Sequence, residues 1–357
     1  MKIVVYGLTI TSSWGNGHAT TYRSLLNALA HRGHRIVFVE KDVEWYRNNR
    51  DLPSPAFCSV RLYDSWQADA ANLLELSSDA DAVVVGSYFP DAVAATRALL
   101  EKNRCPILFY DIDTPVTLRQ LRANGGTGYL DPALIPEYSA VLSFTGGPVL
   151  QELEETFGAR RAVAFYCSVD PCMYHPVQEC EKFRCDLSYL GTYAHDRQPK
   201  LMRLLDDTAA LLPARQFLIA GSQYPESVSW QPNVRRVIHI SPPEHPAFYS
   251  SSRFSLNLTR HDMVEAGYSP SVRLFEASAC GATIISDAWQ GMEDFLTPGE
   301  EILLPADAAE VADILEHLSE TERKQIGQRA RERILSTHTA EHRAAEFEQI
   351  ISDCSSQ

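Results

Sequence analysis

Short apolar runs that alternate with helical segments are the feature that most constrains the fold of this chain. The first series reads "KIVVYG", "RIVFVE", "SVRLY", "AVVVG", "PILFYD" and "AVLSF" within residues 1–144. Continuous apolar runs of this kind are typical of strands covered on both faces, and strands separated by helices favour a parallel sheet. The pattern therefore predicts an α/β fold with a doubly wound parallel sheet.

A second series follows a stretch without a hydrophobic period. Residues 167–181, "CSVDPCMYHPVQECE", carry two prolines and indicate a linker. Beyond it lie "DLSYLG", "QFLIAG", "RRVIHI", "FSLNL" and "ATIIS", and then a tail that is nearly all helical. We expect an N-terminal α/β domain over residues 1–168, a second over 169–335, and a C-terminal helix over 336–357 that packs back toward the first. Such sheets bind ligands beyond the carboxyl ends of their strands, so a cleft between the two domains is the expected site.

Composition narrows the function classes. A content of 45% hydrophobic and 22% charged residues fits a globular protein. The formal net charge of −14 disfavours binding to nucleic acid and electrostatic binding to anionic lipid. No run approaches about 18 consecutive apolar residues, so we expect no transmembrane helix. The start "MKIVVYGLTI" enters a strand pattern directly and has no cleavage-like site, which predicts a cytoplasmic protein with reduced thiols.

Four of the eight cysteines cluster around His175, at Cys167, Cys172, Cys180 and Cys185. Paired ligands of zinc sites are usually about two to four residues apart, so this spacing fits a metal site only marginally. Small, semi-buried residues near a domain junction are the favoured interpretation, and no metal site is predicted.

A glycine-rich loop precedes the first helical pattern, in "SSWGNGHAT" at residues 12–20. A loop of this kind presents backbone N–H groups and the positive end of a helix dipole to a phosphate. We expect Gly15, Asn16, Gly17 and His18 to face the site. The dipole lowers the proton affinity of a histidine at the helix start, which suits a neutral hydrogen-bonding imidazole. A plain helix-start residue is the alternative for His18.

The same loop leaves a nicotinamide-dependent oxidoreductase as a weaker hypothesis. The dinucleotide fingerprint needs a third glycine where this chain has Thr20, and it follows the first strand without a long intervening loop. Glu40, at the end of the second strand, does stand roughly where a ribose-binding acid would be.

Two aspartates, Asp111 and Asp113, end the fifth apolar run in "YDIDTP". Groups that bind an acceptor substrate collect at strand ends, and paired carboxylates also suit a metal or an acid–base pair. Two positions apart on one strand end, they fit a turn-capping pattern equally well. We take both, together with His18, as candidate catalytic residues. The segment "FTGGP" at residues 144–148 opens a further helix on the acceptor side.

One charged residue stands in the otherwise mostly apolar helix pattern "SPSVRLFEASACG". Ser269 suits an N-cap and Gly281 a C-terminal stop, which predicts a helix over residues 270–280. Glu276 lies in its middle, with Arg273 three residues back. A half-exposed ion pair between these two is one interpretation, and a carboxylate held for a ligand is the other.

Several longer motifs bear a family resemblance. "SVDPCMYHP", "YLGTYAHDRQPK" and "SVRLFEASACGATIISD" resemble segments of the retaining nucleotide-sugar glycosyltransferases of the GT-B fold. Nearly the whole chain is similar to their CgeB-like subgroup, through "SSWGNGHATTYR", "YDIDTPVTL", "LSFTGGP", "LNLTRHDMVEAGYSPSVRLFEASACG" and "STHTAEHRA". The resemblance implies two Rossmann-like domains facing a cleft. It also implies metal-independent transfer, with retention, from a nucleotide-diphosphate sugar, with UDP slightly favoured and no cofactor.

The resemblance also implies roles for particular residues. Glu276 matches the family's second motif glutamate, which accepts hydrogen bonds from the nucleotide ribose. The phosphate-binding turn falls at Gly191 and Thr192, and Arg197 matches the family's lysine and suits bidentate binding of a diphosphate. No protein nucleophile is required, because the departing phosphate oxygen takes the proton of the acceptor hydroxyl.

The start of the same helix completes the expected donor site. The N–H groups of Ser271, Val272 and Arg273 lie on its first turn, where they can meet a phosphate. Tyr224 is a further donor-binding residue. The second cation is Arg273, Arg260 or Lys200, each of which is also an ordinary surface charge.

The chain departs from the family at two positions. Thr192 stands in place of an arginine, and Tyr268 stands where the first motif glutamate would fall, with Glu265 as the nearby substitute. These differences leave a catalytically silent nucleotide-sugar-binding or scaffold protein as an alternative. The acceptor, whether a saccharide, a small molecule or a protein, stays open because acceptor pockets lie on variable loops.

Overall fold

The computed structural model describes residues 1–15, 17–102 and 104–355. The chain divides into two compact units. The N-terminal unit comprises Met1–Ser168 and the chain from Ala340 onward, and the C-terminal unit comprises Val169–Thr339. Each unit is built on one parallel sheet.

The described residues of the N-terminal unit form a seven-stranded sheet in the order β3-β2-β1-β4-β5-β6-β7. The strands β1 to β7 are Lys2–Tyr6, Arg35–Lys41, Ser59–Tyr63, Ala82–Gly86, Ile107–Asp111, Ala140–Ser143 and Ala162–Ala164. β4, β5 and β6 are buried along their whole length, as their continuous apolar runs predict, and β1 is buried except at Lys2. The strand order reverses between β1 and β4, which makes their carboxyl ends the switch point of this sheet.

The described residues of the C-terminal unit form a five-stranded sheet in the order β10-β9-β8-β11-β12. The strands β8 to β12 are Cys185–Leu190, Phe217–Ala220, Val234–Val237, Ser252–Asn257 and Thr283–Ser286. The order reverses between β8 and β11, and Leu187, Phe254 and Leu256 are fully buried there. The two doubly wound parallel sheets predicted from the sequence are therefore confirmed.

Helices connect the strands in both units. In chain order, α1 to α14 are His18–His31, Glu44–Arg47, Trp66–Glu75, Ala92–Lys102, Thr114–Asn124, Pro148–Glu155, Gln198–Leu201, Asp207–Leu211, His245–Ser251, His261–Ala266, Val272–Ala279, Ala308–His317, Glu320–Thr337 and Ala340–Ser355. The last of them, α14, belongs to the N-terminal unit and is fixed there through Glu348. Its carboxylate accepts hydrogen bonds from Arg32 at 2.6 and 2.8 Å and lies 2.7 Å from the His34 ring.

The turn between β5 and α5 is built around the buried carboxylate of Asp111, which is 1% exposed. Its Oδ1 accepts hydrogen bonds from Thr117 Oγ1 at 3.0 Å and from the Asp113 backbone N–H at 3.2 Å. This is the turn-capping geometry that the spacing of the two aspartates allowed. Burial raises the pKa of Asp111 to about 7.

The raised pKa predicts a pH-dependent stability. The folded protein retains a proton on Asp111 that the unfolded chain releases near pH 4, so this carboxyl lowers stability progressively as the pH rises toward 7. Asp111→Asn cannot ionise and should be increasingly more stable than the wild type above pH 5, reaching on the order of 4 kcal/mol above pH 7. Calorimetric melting of both proteins between pH 4.5 and 8 measures the difference. A difference that does not change with pH would contradict the assignment.

Candidate functional site

The switch point of the C-terminal unit lies where Gly191 follows β8 and Asn257 ends β11. Gly191 allows a close approach, because a Cβ atom there would lie 2.6 Å from the Tyr189 hydroxyl and 3.0 Å from the Arg273 guanidinium. Gly221 is equally restricted, since its Cβ would lie 1.9 Å from the Gly191 carbonyl oxygen. The two glycines bring the backbone turns after β8 and β9 together at the carboxyl edge of the sheet.

Arg273 is held at this edge by neutral groups. Its Nε donates to the Leu190 carbonyl at 2.6 Å, and its Nη1 donates to Asn257 Oδ1 at 2.9 Å. The guanidinium also lies over the Tyr189 ring, 4.9 Å from its centroid. Asn257 is fully buried and accepts a second hydrogen bond, from Ser271 Oγ at 2.6 Å. The guanidinium is therefore fixed beside Gly191, and no carboxylate of the described residues forms an ion pair with it.

The helix that carries Arg273 is shorter than the sequence predicts. We expected it over residues 270–280 with Ser269 as its cap, but α11 begins at Val272 after an extended Ser271. The physical reason is the hydrogen bond from Ser271 to the end of β11, which holds Ser271 in an extended conformation, while Ser269 is buried at 1% exposure. The first N–H groups of a helix have no acceptor within the helix, so the positive end of α11 lies at the switch point.

Arg197 and Tyr224 approach the same turn. Arg197 Nη2 donates to the Thr192 carbonyl at 2.9 Å, and its buried Nε has no hydrogen-bond partner among the described residues. The Tyr224 hydroxyl donates to the Gly191 carbonyl at 3.1 Å. Burial raises the pKa of Tyr224, and the nearby guanidinium groups of Arg197 and Arg273 oppose that rise. The structure thus brings together five of the expected donor-site residues, namely Gly191, Thr192, Arg197, Tyr224 and Arg273.

The cations of this region differ in how they are compensated. Among the described residues, neither Arg197 nor Arg273 forms an ion pair. Lys200, in contrast, lies 2.6 Å from the buried carboxylate of Asp287, and Arg260 lies 4.0 Å from the partly exposed carboxylate of Asp196. Of the three candidates for the second cation, Arg273 is thus the one whose charge is left available at the switch point.

Glu276 lies one turn further along α11 and is 6% exposed. The Tyr249 hydroxyl donates to its Oε2 at 3.5 Å, and His245 Nδ1 lies 3.7 Å from the same oxygen. The half-exposed ion pair with Arg273, which the sequence left open, is not formed, because Asn257 and Leu190 engage that guanidinium. Sequence reasoning also missed the partners of Glu276, since nothing in the pattern around Tyr249 and His245 indicates a long-range contact.

Tyr268 occupies the position of the family's first motif glutamate. It has a left-handed backbone, with φ of 47°, and its N–H donates to the Gln290 carbonyl at 2.6 Å. Its ring lies against Gly291, where a Cβ would be only 2.3 Å away. Glu265, the suggested substitute, has a side chain that is 67% exposed and lies 3.3 Å from His261 on α10.

In the N-terminal unit, the glycine-rich loop is anchored through Glu40, which is fully buried. Its carboxylate accepts four hydrogen bonds of 2.6 to 3.1 Å, from the Thr9 hydroxyl, the Ile10 N–H, and the N–H and hydroxyl of Thr11. These donors occupy the carboxylate, so Glu40 holds the loop after β1 rather than a nicotinamide ribose. The sequence interpretation of Glu40 as a ribose-binding acid is therefore wrong.

His18 begins α1 and is 8% exposed. Its Nε2 lies 3.9 Å from Asp113 Oδ2, and its buried Nδ1 has no hydrogen-bond partner among the described residues. Gly15 has a left-handed φ of 69°, and Gly17 precedes α1 with open space where a Cβ would be. Asn16 lies outside the described residues. The structure thus brings His18 and Asp113 together, whereas Asp111 is turned into the fold.

The described cysteines and helices bear on two further expectations from the sequence, those about a metal site and a transmembrane helix. Cys167 and Cys185 are buried and Cys172 is exposed, and none of the three forms a disulfide among the described residues. Within the part of the chain that the structure describes, no three or more His, Cys, Asp or Glu side chains are grouped to hold a metal ion. None of the described helices is both long and apolar enough to cross a bilayer.

The chain was compared with protein families and with curated proteins by sequence. Residues 197–349 match a family described as glycosyl transferase-like. No curated protein matches the sequence of the chain.

Three similar solved structures cover nearly the whole chain. Sucrose-phosphate synthase from Thermosynechococcus elongatus is 15% identical, with a TM-score of 0.71 over 99% of each chain. Anabaena HepE, in complex with UDP and glucose, is 12% identical, with a TM-score of 0.74 over 99% of this chain and 100% of that one. An α-glucosyltransferase, in complex with UDP-glucose and DNA containing an abasic site, is 13% identical, with a TM-score of 0.71 over 98% of each chain. The chain thus has the GT-B fold of these glycosyltransferase structures throughout, and residues 197–349 are similar to the glycosyl transferase-like family.

Proposed function

We propose that the chain, as a member of the CgeB-like subgroup, transfers a sugar from a nucleotide-diphosphate sugar to an acceptor, with retention and without a metal ion. One observation carries the proposal. Two guanidinium groups with only neutral hydrogen-bond acceptors, those of Arg197 and Arg273, meet the positive end of α11 at the switch point beside Gly191. This concentration of positive charge, with no ion pair to Arg197 or Arg273 among the described residues, suits a diphosphate.

The same geometry supports metal independence. A departing nucleoside diphosphate must be stabilised as negative charge develops on its β-phosphate. In this chain Arg197, Arg273 and the N–H groups at the start of α11 supply that stabilisation. The guanidinium groups are held in advance by carbonyl and amide oxygens, so little reorganisation is needed during the reaction.

Glu276 supports recognition of the ribose. The Glu276 carboxylate is 6% exposed and takes its hydrogen bonds from two neutral hydroxyls, Tyr249 at 3.5 Å and Tyr174, so a further donor would stabilise this buried charge. The two ribose hydroxyls are such donors. The HepE and α-glucosyltransferase structures contain UDP, which supports a uridine nucleotide for this chain.

The acceptor side is assigned to the N-terminal unit. His18 and Asp113 orient the acceptor hydroxyl. In the transfer step the acceptor oxygen bonds to the anomeric carbon, the bond from that carbon to the phosphate oxygen breaks, and the hydroxyl proton passes to the departing phosphate oxygen. The step balances without a protein nucleophile, and the negative charge of the chain favours an acceptor other than nucleic acid.

Metal independence predicts that activity survives chelation. Hydrolysis or transfer of UDP-sugars is measured as the release of UDP. Its rate should be the same in EDTA as in buffer with magnesium or manganese. The reason is that protein cations and a helix end neutralise the leaving group. Activity that EDTA abolishes and manganese or magnesium restores would disprove this part of the proposal.

The phosphate role of Arg197 predicts a ligand-dependent loss. Arg197→Ala should weaken UDP binding by roughly 1.5–3 kcal/mol and uridine binding much less, because one charge-assisted contact to phosphate is removed. Arg203→Ala is the matched control, since Arg203 is exposed on the following π-helical turn. Calorimetric titration with both ligands measures the losses. Equal losses for UDP and uridine would remove the phosphate role.

If Glu276 binds the ribose, its substitution should change the preference of the protein for UDP over 2′-deoxy-UDP. Glu276→Gln keeps the shape but removes the charge and one acceptor, so UDP binding should fall by roughly 1.5–3 kcal/mol. The wild type should also prefer UDP to 2′-deoxy-UDP, and the variant should lose that preference. The melting temperature without ligand should stay level or rise, because a buried charge is removed.

The competing explanation for Glu276 is a purely structural contact with Tyr249 and His245. That explanation predicts the opposite pair of results, a lower melting temperature and unchanged discrimination between UDP and 2′-deoxy-UDP. The two measurements on one variant therefore separate the explanations.

A further inference from the structure

The amino edge of the C-terminal sheet holds a cavity of about 720 Å³. Its lining includes the first residues of two strands, Cys185 of β8 and Ser252 of β11, and residues next to the starts of β9 and β12. The proposed donor site lies at the other end of the same strands, where Gly191 follows β8. A strand rises about 3.3 Å per residue, so the length of β8 separates the two places by roughly 20 Å. A ligand in this cavity is therefore distinct from the sugar donor.

The floor of the cavity is neutral. Cys185, Ser251, Ser252 and Cys280 line it and are at most 5% exposed. Burial raises the pKa of Cys185 to about 12 and raises that of Cys280 as well, so both thiols stay uncharged at neutral pH. Ser251 and Ser252 donate their hydroxyls to backbone carbonyls. Any recognition of charge in this cavity therefore comes from its walls.

The walls carry more positive than negative charge. Three carboxylates line the cavity, against five cations, Arg184, Arg235, Arg253, Arg323 and Lys324. The whole chain, in contrast, has a formal net charge of −14. A local excess of cations in an acidic protein attracts anions to that part of its surface.

Three of the five cations are paired within the fold. Arg184 lies 2.5 Å from Glu181, and Arg253 and Arg323 lie 2.6 and 2.9 Å from Glu320. These ion pairs fix the walls of the cavity and leave little charge for a ligand.

The other two cations form no ion pair among the described residues. Arg235 donates to two neutral acceptors, the carbonyls of Lys182 at 3.2 Å and Arg184 at 2.8 Å. Lys324 is exposed on α13 and has no hydrogen-bond or ion-pair partner in the described parts of the chain. Support of the turn before β8 is a structural role that accounts for Arg235. No such contact accounts for Lys324.

We propose that this cavity binds a small organic polyanion, a molecule with two or more carboxylate or phosphate groups. Arg235 and Lys324 lie on different elements, β10 and α13, so two separate places on the wall offer a positive charge to such groups. The apolar side chains of Pro176 and Val177 and the neutral floor suit the carbon skeleton between them. The volume lies within the range of small-molecule sites, roughly 300–1,000 Å³.

Substitutions of Lys324 test the proposal without disturbing a described contact. Lys324→Gln should weaken polyanion binding about threefold to fivefold, whereas Lys324→Arg should preserve it, because the charge is retained. The double variant Arg235→Gln, Lys324→Gln should lose at least about tenfold. Arg203→Gln is the matched control, since Arg203 is exposed in the same unit and does not line the cavity. Thermal melting checks that each variant is folded.

The probes are citrate, fructose 1,6-bisphosphate and, as the neutral counterpart, fructose, titrated by calorimetry at low salt. Each titration is made in the Arg197→Ala background, so that anions bound at the donor site contribute little. Binding of citrate alone identifies a carboxylate ligand, binding of the bisphosphate alone identifies a phosphate ligand, and binding of both identifies a site for either group. Each of these results supports the proposal if binding weakens in Lys324→Gln and not in Arg203→Gln.

Three results would overturn the proposal: no binding of either polyanion, equal binding to the double variant, or binding of fructose as tight as that of its bisphosphate. The proposed function is tested separately by UDP, which should bind Lys324→Gln as tightly as the wild type. A wild type that does not bind UDP would contradict the proposed function and leave the polyanion measurements valid.

Discussion

The buried amide of Asn257 determines the geometry on which the proposed donor site depends. Its Oδ1 accepts hydrogen bonds from Ser271 Oγ and Arg273 Nη1, and its Nδ2 donates to Ser286 Oγ at 2.9 Å. One side chain at the end of β11 thereby joins the start of α11, a cation and the end of β12. A buried amide with satisfied donors and acceptors stabilises one arrangement, whereas any loss of a partner would be costly at zero exposure. The position of the positive end of α11 follows from this contact.

Charge compensation then divides the basic residues of the C-terminal unit into two kinds. Lys200 is 2.6 Å from a buried aspartate, which suits a structural ion pair. Arg197 and Arg273 have carbonyl and amide oxygens as acceptors, which orient a guanidinium without neutralising it. Like-charged groups held together without an ion pair oppose folding, even with Asp196 near Arg197, so their presence at a switch point favours an anionic ligand over a structural role.

Local patterns predicted most of the sheet but not the contacts that define the sites. The apolar runs predicted the strands from β1 to β6 and from β8 to β12, because a strand covered on both faces leaves a continuous hydrophobic signature. The strand β7, "AVA", is too short to leave one. The start of α11 was misplaced because a tertiary hydrogen bond from Ser271 overrode the capping preference of Ser269. Contacts such as Tyr249 with Glu276 join residues far apart in sequence, and no local pattern records them.

Three buried carboxylates show how the number and length of hydrogen bonds indicate a role. Glu40 accepts four short hydrogen bonds, so its charge is satisfied within the fold and it acts as an anchor. Asp111 accepts from Thr117 and the Asp113 N–H, and burial still raises its pKa to about 7, so it shapes a turn without being a stable anion. Glu276 has a 3.5 Å hydrogen bond from Tyr249 and little exposure to water. The fold gives this carboxylate the two neutral hydroxyls of Tyr249 and Tyr174 and a His245 ring 3.7 Å away, so a ligand hydroxyl would add to its partners, which is why the ribose is assigned to Glu276 and not to Glu40 with its four hydrogen bonds.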